Sequence, residues 1–255
     1  MPEDIEGKLG MPLLGVVPKT LEDDPETAMQ DPKSPISEAY NSLRGSLLYS
    51  TAQGLPQVIL ITSAQAAEGK TTTSLAVAAG FARMGRKVLL VDADMRRPSL
   101  QNRMKVSNSR GLSTLLTSTD SLESAALASG QANLSLLPAG PIPPSPTELL
   151  STARMEDLLQ TAARLYDVVV IDSPPILGLA DAPLMAALAD GVVIVVEADR
   201  SRRGSLKASL RRLRAMRPVL LGAVLTKFDP LKAANRYSEY YGHQYYQYDT
   251  VEAKD

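Results

Sequence analysis

Residues 63–73 read SAQAAEGKTTT. A glycine, a lysine and successive hydroxyl side chains, placed after a short loop of small residues, have the chemistry of phosphate binding. The P-loop pattern is G-x-x-x-x-G-K-[ST]. Here Ala64 stands at the first glycine position, while Gly69, Lys70 and Thr71 fit and Thr72 follows. In such a loop consecutive backbone N–H groups and a helix N-terminus surround the phosphates. Ala66, Ala67, Glu68 and Gly69 would supply main-chain donors, a task alanine can also serve. Lys70 would reach the β- and γ-phosphates, and the Thr71 hydroxyl would coordinate Mg²⁺. Taken alone, this stretch is weak evidence, and a loop entering an ordinary helix is the bland alternative. Two further signals change that. VLLVDADMRRP places Asp92 and Asp94 at the end of one apolar run, and VVVIDSPP places Asp172 at the end of another. The latter is the Walker B pattern, an acid that holds Mg²⁺ directly or through water. A lone aspartate after a strand is more often a turn or cap residue. Three carboxylates, a lysine and a hydroxyl brought to one edge read instead as a working magnesium–nucleotide site.

The elements that must position them are legible as buried strands alternating with amphipathic helices. Strands are expected at 57–63, 87–94, 134–138, 166–174, 191–199 and 219–229, each a continuous apolar run of the kind buried on both faces. Helices are expected at 34–50, with Ser37 as its cap, at 71–84 with Gly85 as its stop, at 147–164 and at 201–217. This order predicts an α/β fold, a P-loop NTPase-type doubly wound, mostly parallel sheet with helices on both faces. Ligands bind such sheets at the carboxyl ends of the strands, where the lysine and the aspartates fall. Helix, turn and strand account for the 22 residues from Lys70 to Asp92 and return the carboxylates to that edge. Residues 1–35, rich in Pro, Asp and Glu, read as an N-terminal linker containing one edge strand at 11–18. Residues 36–229 form the P-loop domain. Residues 230–255 are polar and read as a mobile tail.

Composition narrows the chemistry. The 255 residues carry a net charge of −1, no cysteine and a single histidine, His243. Disulfides and thiolate metal sites are excluded, and nothing global points to nucleic acid. No signal peptide and no run of eighteen apolar residues is found, so the chain as given is expected to be soluble. Six of the nine tyrosines, Tyr237, Tyr240, Tyr241, Tyr245, Tyr246 and Tyr248, crowd the tail. They read either as a sticky aromatic end or, beside an ATP site, as a phosphoacceptor cluster. The stretch DRSRRGSLKASLRRLRAMRP, residues 199–218, is strongly basic over a Leu206, Leu210, Leu213 stripe. It is either a solvated face or a docking surface for acidic headgroups or an acidic partner. LTKFD (225–229) has Thr226 where a guanine reader would have asparagine, which favours adenine.

At this point the sequence resembles the bacterial tyrosine kinases, the cytoplasmic kinase domains of polysaccharide copolymerases. The resemblance covers nearly the whole chain: GMPLLGVVPK, SEAYNSLRGSLLYS, the block from ILITSAQ to DADMRRP, LPAGPIPPSPTELLSTARM, YDVVVIDSPPILGLADAP and the terminal tyrosines. It departs from the family at Ala66-Ala67, where Pro-Gly is frequent. It departs again in the E-x-x-R-x-x-R oligomerisation motif of helix 36–50, where Glu38 and Arg44 match but Asn41 replaces the middle arginine. The resemblance implies an ATP- and Mg²⁺-dependent tyrosine autokinase. Lys70, Thr71 and Thr72 would act at the phosphates, Asp94 and Asp172 at the metal, and Asp92 as acceptor of the tyrosine proton. It further implies a homo-oligomeric ring, an octamer, phosphorylating neighbouring tails in trans, and regulation of capsular or exopolysaccharide polymerisation and export. The partners implied are a membrane-spanning copolymerase part on the same or another chain and a cognate tyrosine phosphatase, not nucleic acid. The location implied is the cytoplasmic face of the inner membrane. The rival reading is a nucleotide-driven dimer switch of the partition or septum-site type. Gln65, where those ATPases carry a second lysine, and the tyrosine-rich end disfavour it. A non-catalytic regulatory subunit that binds nucleotide weakly is the third reading.

Overall fold

The computed structural model describes residues 2–20 and 25–229. In chain order the elements are α1 (Pro2–Leu9), β1 (Leu13–Pro18), α2 (Pro25–Ala28), α3 (Pro35–Leu48), β2 (Val58–Ser63), α4 (Lys70–Arg83) and β3 (Val88–Asp92). The short elements α5 (Leu100–Arg103), α6 (Leu112–Leu115), α7 (Leu122–Ala125), β4 (Leu127–Ala128), β5 (Leu134–Leu137) and α8 (Pro146–Leu150) follow. The chain continues through α9 (Ala153–Leu165), β6 (Val168–Asp172), α10 (Asp181–Leu188), β7 (Gly191–Glu197), α11 (Arg203–Ala215) and β8 (Leu220–Phe228).

Eight strands make one sheet in the order β1-β8-β7-β2-β6-β3-β5-β4. All neighbours are parallel except the short β4, which pairs antiparallel with β5. The expected strand at 11–18 is the β1 edge. Along the central strands alternate side chains enter opposite layers. Val58, Leu60, Leu89, Val91, Val169 and Ile171 face one core, and Ile59, Ile61, Val88, Leu90, Val168 and Val170 the other. Helices α9, α10 and α11 cover the first layer, while α3 and α4 cover the second. This double coverage explains the uninterrupted apolar strands. The sequence order reverses around β2, whose neighbours are β6 and β7, so the crevice for a ligand lies at the end of β2, at the loop leading into α4.

Three expectations are corrected. Ser34, not Ser37, caps α3: its hydroxyl accepts from the Ser37 N–H, and Pro35 occupies the first helical position, where its missing N–H does no harm. The helix expected over 147–164 is two helices, because Thr152 adopts extended backbone between them. The N-terminal stretch is not linker around a strand. Helix α1 buries Ile5 and is tied to α11 by Asp4–Arg203 at 2.9 Å and by Arg214 donating to the Leu9 carbonyl at 3.1 Å. The one-turn helices α5, α6 and α7 were not anticipated. The tail from residue 230, with the six tyrosines, lies outside the described residues.

Candidate active site

The site is built by strand ends and one helix start. Gly69 precedes α4 with φ +92°, a left-handed turn that glycine adopts freely. Ala67 is also left-handed, at φ +66°. Alanine at such a φ costs about 1 kcal/mol, which gives a physical reason why glycine suits that position. The loop is pinned from outside. Thr226 Oγ1 donates to the Glu68 carbonyl at 2.7 Å, Lys227 Nζ donates to the Ala67 carbonyl at 2.9 Å, and the Glu68 carboxylate takes the Gln65 N–H at 2.8 Å and the Ser201 hydroxyl. Glu68 is buried, and burial raises its pKa despite these donors.

Lys70 and Thr71 open α4, whose free N–H groups and dipole favour an anion there. Lys70 Nζ lies 3.2 Å from Asp94 Oδ2 and 3.4 Å from Thr71 Oγ1. Thr71 Oγ1 donates to Asp172 Oδ2 at 2.8 Å, and Ser74, one turn on, donates to Asp172 Oδ1 at 3.1 Å. Asp92 and Asp172 are cross-strand partners in the β3–β6 register, so their carboxylates end adjacent strands. Each is 1% exposed. Asp92 organises the following loop: it accepts from the N–H groups of Asp94 at 3.1 Å and of Ser99 and Leu100 at 3.2 Å each. Burial first, and the neighbouring Asp172 second, push the Asp92 carboxyl up to about 7. Burial also raises Asp172, against the pull of Lys70 and the Thr71 and Ser74 hydroxyls. For Lys70 burial opposes the charge, but Asp172 and Asp94 outweigh it, and its pKa is raised.

One ammonium thus faces three buried carboxylates. Burying such an excess of like charge is unfavourable without a compensating cation. Among the described residues no three acidic or histidine side chains are arranged to hold a metal by themselves. Hard carboxylate and hydroxyl oxygens that offer only part of a coordination shell suit Mg²⁺, which takes its other ligands from phosphate oxygens and water. Ala67 and Gly69 have left-handed φ, a feature of the loops whose backbone N–H groups bind anions. The residues therefore fit a magnesium–nucleotide.

Thr72 lies beside Lys70 and Thr71 at the start of α4, and lines a cavity of about 490 Å³ shared with Gly69, Tyr40, Thr226 and Lys227. The residues expected to mediate oligomerisation lie apart. Glu38 is exposed, and Asn41 and Arg44 are half-buried on the same α3 face. The Arg44 guanidinium lies on Gly80 of α4, where a Cβ would come within 2.8 Å of Nη1. Sequence reasoning missed Ser74, whose signal was its place four residues after Lys70. It also missed a cluster beside Asp94, in which Arg96 Nε donates to the buried Asp181 at 2.6 Å and its Nη2 donates to Thr147 at 2.9 Å. These partners are 51 and 85 residues away in the chain, a pairing no local pattern reveals.

The sheet order, the phosphate loop on α4 and the two acid-ended strands define a P-loop, nucleotide-binding α/β protein. Comparison with known proteins specifies it further. The family model for the AAA domain matches residues 56–217. The chain is 38% identical to "Tyrosine-protein kinase YwqD" of Bacillus subtilis (strain 168) over 213 residues, 84% of this chain and 88% of that relative. The kinase domain of Escherichia coli tyrosine kinase ETK superposes with a TM-score of 0.85 at 29% identity, covering 92% of this chain and 96% of that one. The chimerical protein CapA2B2 superposes with a TM-score of 0.83 at 32% identity, over 89% and 99%. The chain belongs to the bacterial tyrosine kinase family, the P-loop protein-tyrosine kinases.

Proposed function

We propose that this chain is an ATP- and Mg²⁺-dependent autokinase that phosphorylates the tyrosines of its own C-terminal tail, in trans, within a ring of copies. The observation that carries the reading is the convergence of Lys70, Thr71, Asp94 and Asp172 beside Asp92 at one sheet edge. In the chain, the tyrosine cluster begins nine residues after the last strand, β8, which ends at that edge. Magnesium-ATP, when bound, supplies the phosphoryl group and much of the charge neutralisation. Lys70 and the N–H groups of the loop from Ala66 to Thr72 hold the phosphates. Thr71, Asp94 and Asp172 hold the metal. Asp92 faces the proton problem: a phenol with pKa about 10 is protonated at neutral pH. A carboxylate with a pKa near 7 is matched to sharing that proton as the oxygen attacks. The rest of the catalysis is positioning and electrostatics, as in phosphoryl transfer generally. The cavity beside Thr72, lined in part by Thr226 and Lys227, suits the adenosine.

The ring would form through the α3 face carrying Glu38, Asn41 and Arg44, and the activity would regulate capsular or exopolysaccharide polymerisation and export. Its seat would be the cytoplasmic face of the inner membrane, with a membrane-spanning copolymerase part and a phosphatase as partners. Membership of the family and the likeness to the CapA2B2 chimera support this reading. No helix among the described residues is long and apolar enough to cross a membrane.

A mixing experiment tests the proposal. Protein with all six tail tyrosines replaced by phenylalanine serves as the kinase, and Lys70→Met protein with its tail intact serves as substrate. With Mg-ATP, phosphotyrosine is expected on the Lys70→Met chain. ATP hydrolysis with no phosphotyrosine on either chain would favour the nucleotide-switch reading.

A further inference from the structure

Arg103 belongs to none of the three motifs, yet it touches the phosphate loop. It ends α5, which leaves the loop whose N–H groups Asp92 holds. Its Nη1 donates to Thr72 Oγ1 at 3.3 Å and also to Glu26 of α2. Its charge reaches the buried Tyr40, whose hydroxyl lies 3.3 Å from Thr73 and whose pKa burial pushes up to about 12. Thr72, Tyr40 and Pro25, the neighbour of Glu26, line the same cavity. Arg103 therefore stands where the phosphate loop meets that cavity.

Charge and hydrogen-bond accounting give this position a use. Lys70 is set against three carboxylates, and a nucleotide brings further negative charge. Lys227, the other cation bonding the loop, donates to a carbonyl and is paired with Glu197 at 3.1 Å. Lys70 reaches the Thr71 hydroxyl at 3.4 Å, and Arg103 is a second cation directed at a side-chain hydroxyl of the helix start, that of Thr72. Because Thr72 Oγ1 accepts from Arg103, the Thr72 proton remains available to donate. A guanidinium and a hydroxyl then face the same ligand oxygen, a pairing suited to phosphate.

We propose that Arg103 is a further nucleotide-binding residue, presenting its guanidinium to the phosphate of a nucleoside di- or triphosphate that adjoins the nucleoside, and that Glu26 restrains it. The inference rests on the magnesium–nucleotide reading of the site. Glu26 neutralises part of the Arg103 charge and competes with the ligand for its donors, so the pair sets affinity.

Calorimetric titration with Mg-ADP, with adenosine titrated as a competitor, tests this on wild type, Arg103→Met, Arg103→Lys and Glu26→Gln. Loss of a charge-assisted hydrogen bond predicts that Arg103→Met weakens Mg-ADP about tenfold or more. Adenosine should stay within about twofold. Arg103→Lys should fall between, and Glu26→Gln should tighten Mg-ADP about threefold by releasing the guanidinium. If Arg103→Met fails to fold, the opposite shifts of Arg103→Lys and Glu26→Gln carry the test. An unchanged Mg-ADP affinity in Arg103→Met, parallel loss of Mg-ADP and adenosine, or weakening by Glu26→Gln would overturn the proposal. Wild-type binding that is absent or insensitive to Lys70→Met would overturn the nucleotide reading itself, and this inference with it.

Discussion

Asp92 organises the fold around it and, in the proposed mechanism, takes part in the chemistry as well. Its oxygens gather three backbone N–H groups, and its burial beside Asp172 raises its pKa to about 7. A carboxyl whose folded pKa exceeds its unfolded value, about 3.9, binds a proton more tightly in the native state. Its contribution to stability is complete below the unfolded pKa and is lost as pH rises through 7. The raised pKa values of Asp172 and Glu68 act in the same direction. Nucleotide-free protein should therefore melt at a lower temperature at pH 8 than at pH 5.5, and Asp92→Asn should flatten that slope. A melting temperature that rises over this interval in wild type would refute the electrostatic account. Thr71 makes a second prediction. Thr71→Val preserves shape but deletes the hydroxyl bonded to Asp172. Affinity for ADP should lose most of its Mg²⁺ dependence in paired calorimetric titrations with the metal and with a chelator. Retention of the full Mg²⁺ effect would remove Thr71 from the metal's ligands.

At the scale of elements, the loop that carries Ala67 holds a left-handed alanine at a cost in conformation. Ala67→Gly should stabilise the fold by about 0.5–1 kcal/mol in chemical denaturation. A loss of stability would show that the external ties from Thr226 and Lys227 depend on the methyl group. Gly111, before α6, is needed for another reason: a Cβ there would stand 2.1 Å from the Pro138 carbonyl and 2.5 Å from the Gly140 nitrogen. Gly111→Ala should cost about 2–3 kcal/mol, because backbone on both sides must move. The strands were legible because burial on two faces writes itself as continuous apolar runs; Asp92, Asp94 and Asp172 were legible because each sits at or just after the end of one, and Lys70 because it follows the loop that leaves another. The split between α8 and α9 was not, since no glycine or proline marks Ser151-Thr152 and the apolar face continues through Met155 and Leu159. Helix α1 was hidden for a different reason. Its sequence, PEDIEGKL, is a weak helix former, and what holds it is contact with Arg203 and Arg214, some two hundred residues away. Arg103 and the Arg96–Asp181 pair are of the same kind, joined only by the folded sheet. The α3 cap was readable after all, from Pro35 following Ser34.

For the whole molecule, the proposed nucleotide site is joined in one chain to a C-terminal stretch rich in tyrosine. Each phosphotyrosine adds about 1.5–2 negative charges; several on one short tail would repel one another and, in the proposed ring, would weaken its docking to a basic neighbour. Exhaustively phosphorylated protein should therefore scatter light as smaller particles than protein held unphosphorylated by Lys70→Met. Equal particle mass in the two samples would reject tail charge as the agent of dissociation. Everything proposed at this scale depends on the site transferring phosphate to those tyrosines. Intact mass and phosphosite mapping after incubation with Mg-ATP, beside Lys70→Met, measures that transfer. Gains of several phosphates confined to Tyr237–Tyr248 are expected in wild type and none in the variant. No gain in wild type, or equal gain in both, would contradict the autokinase.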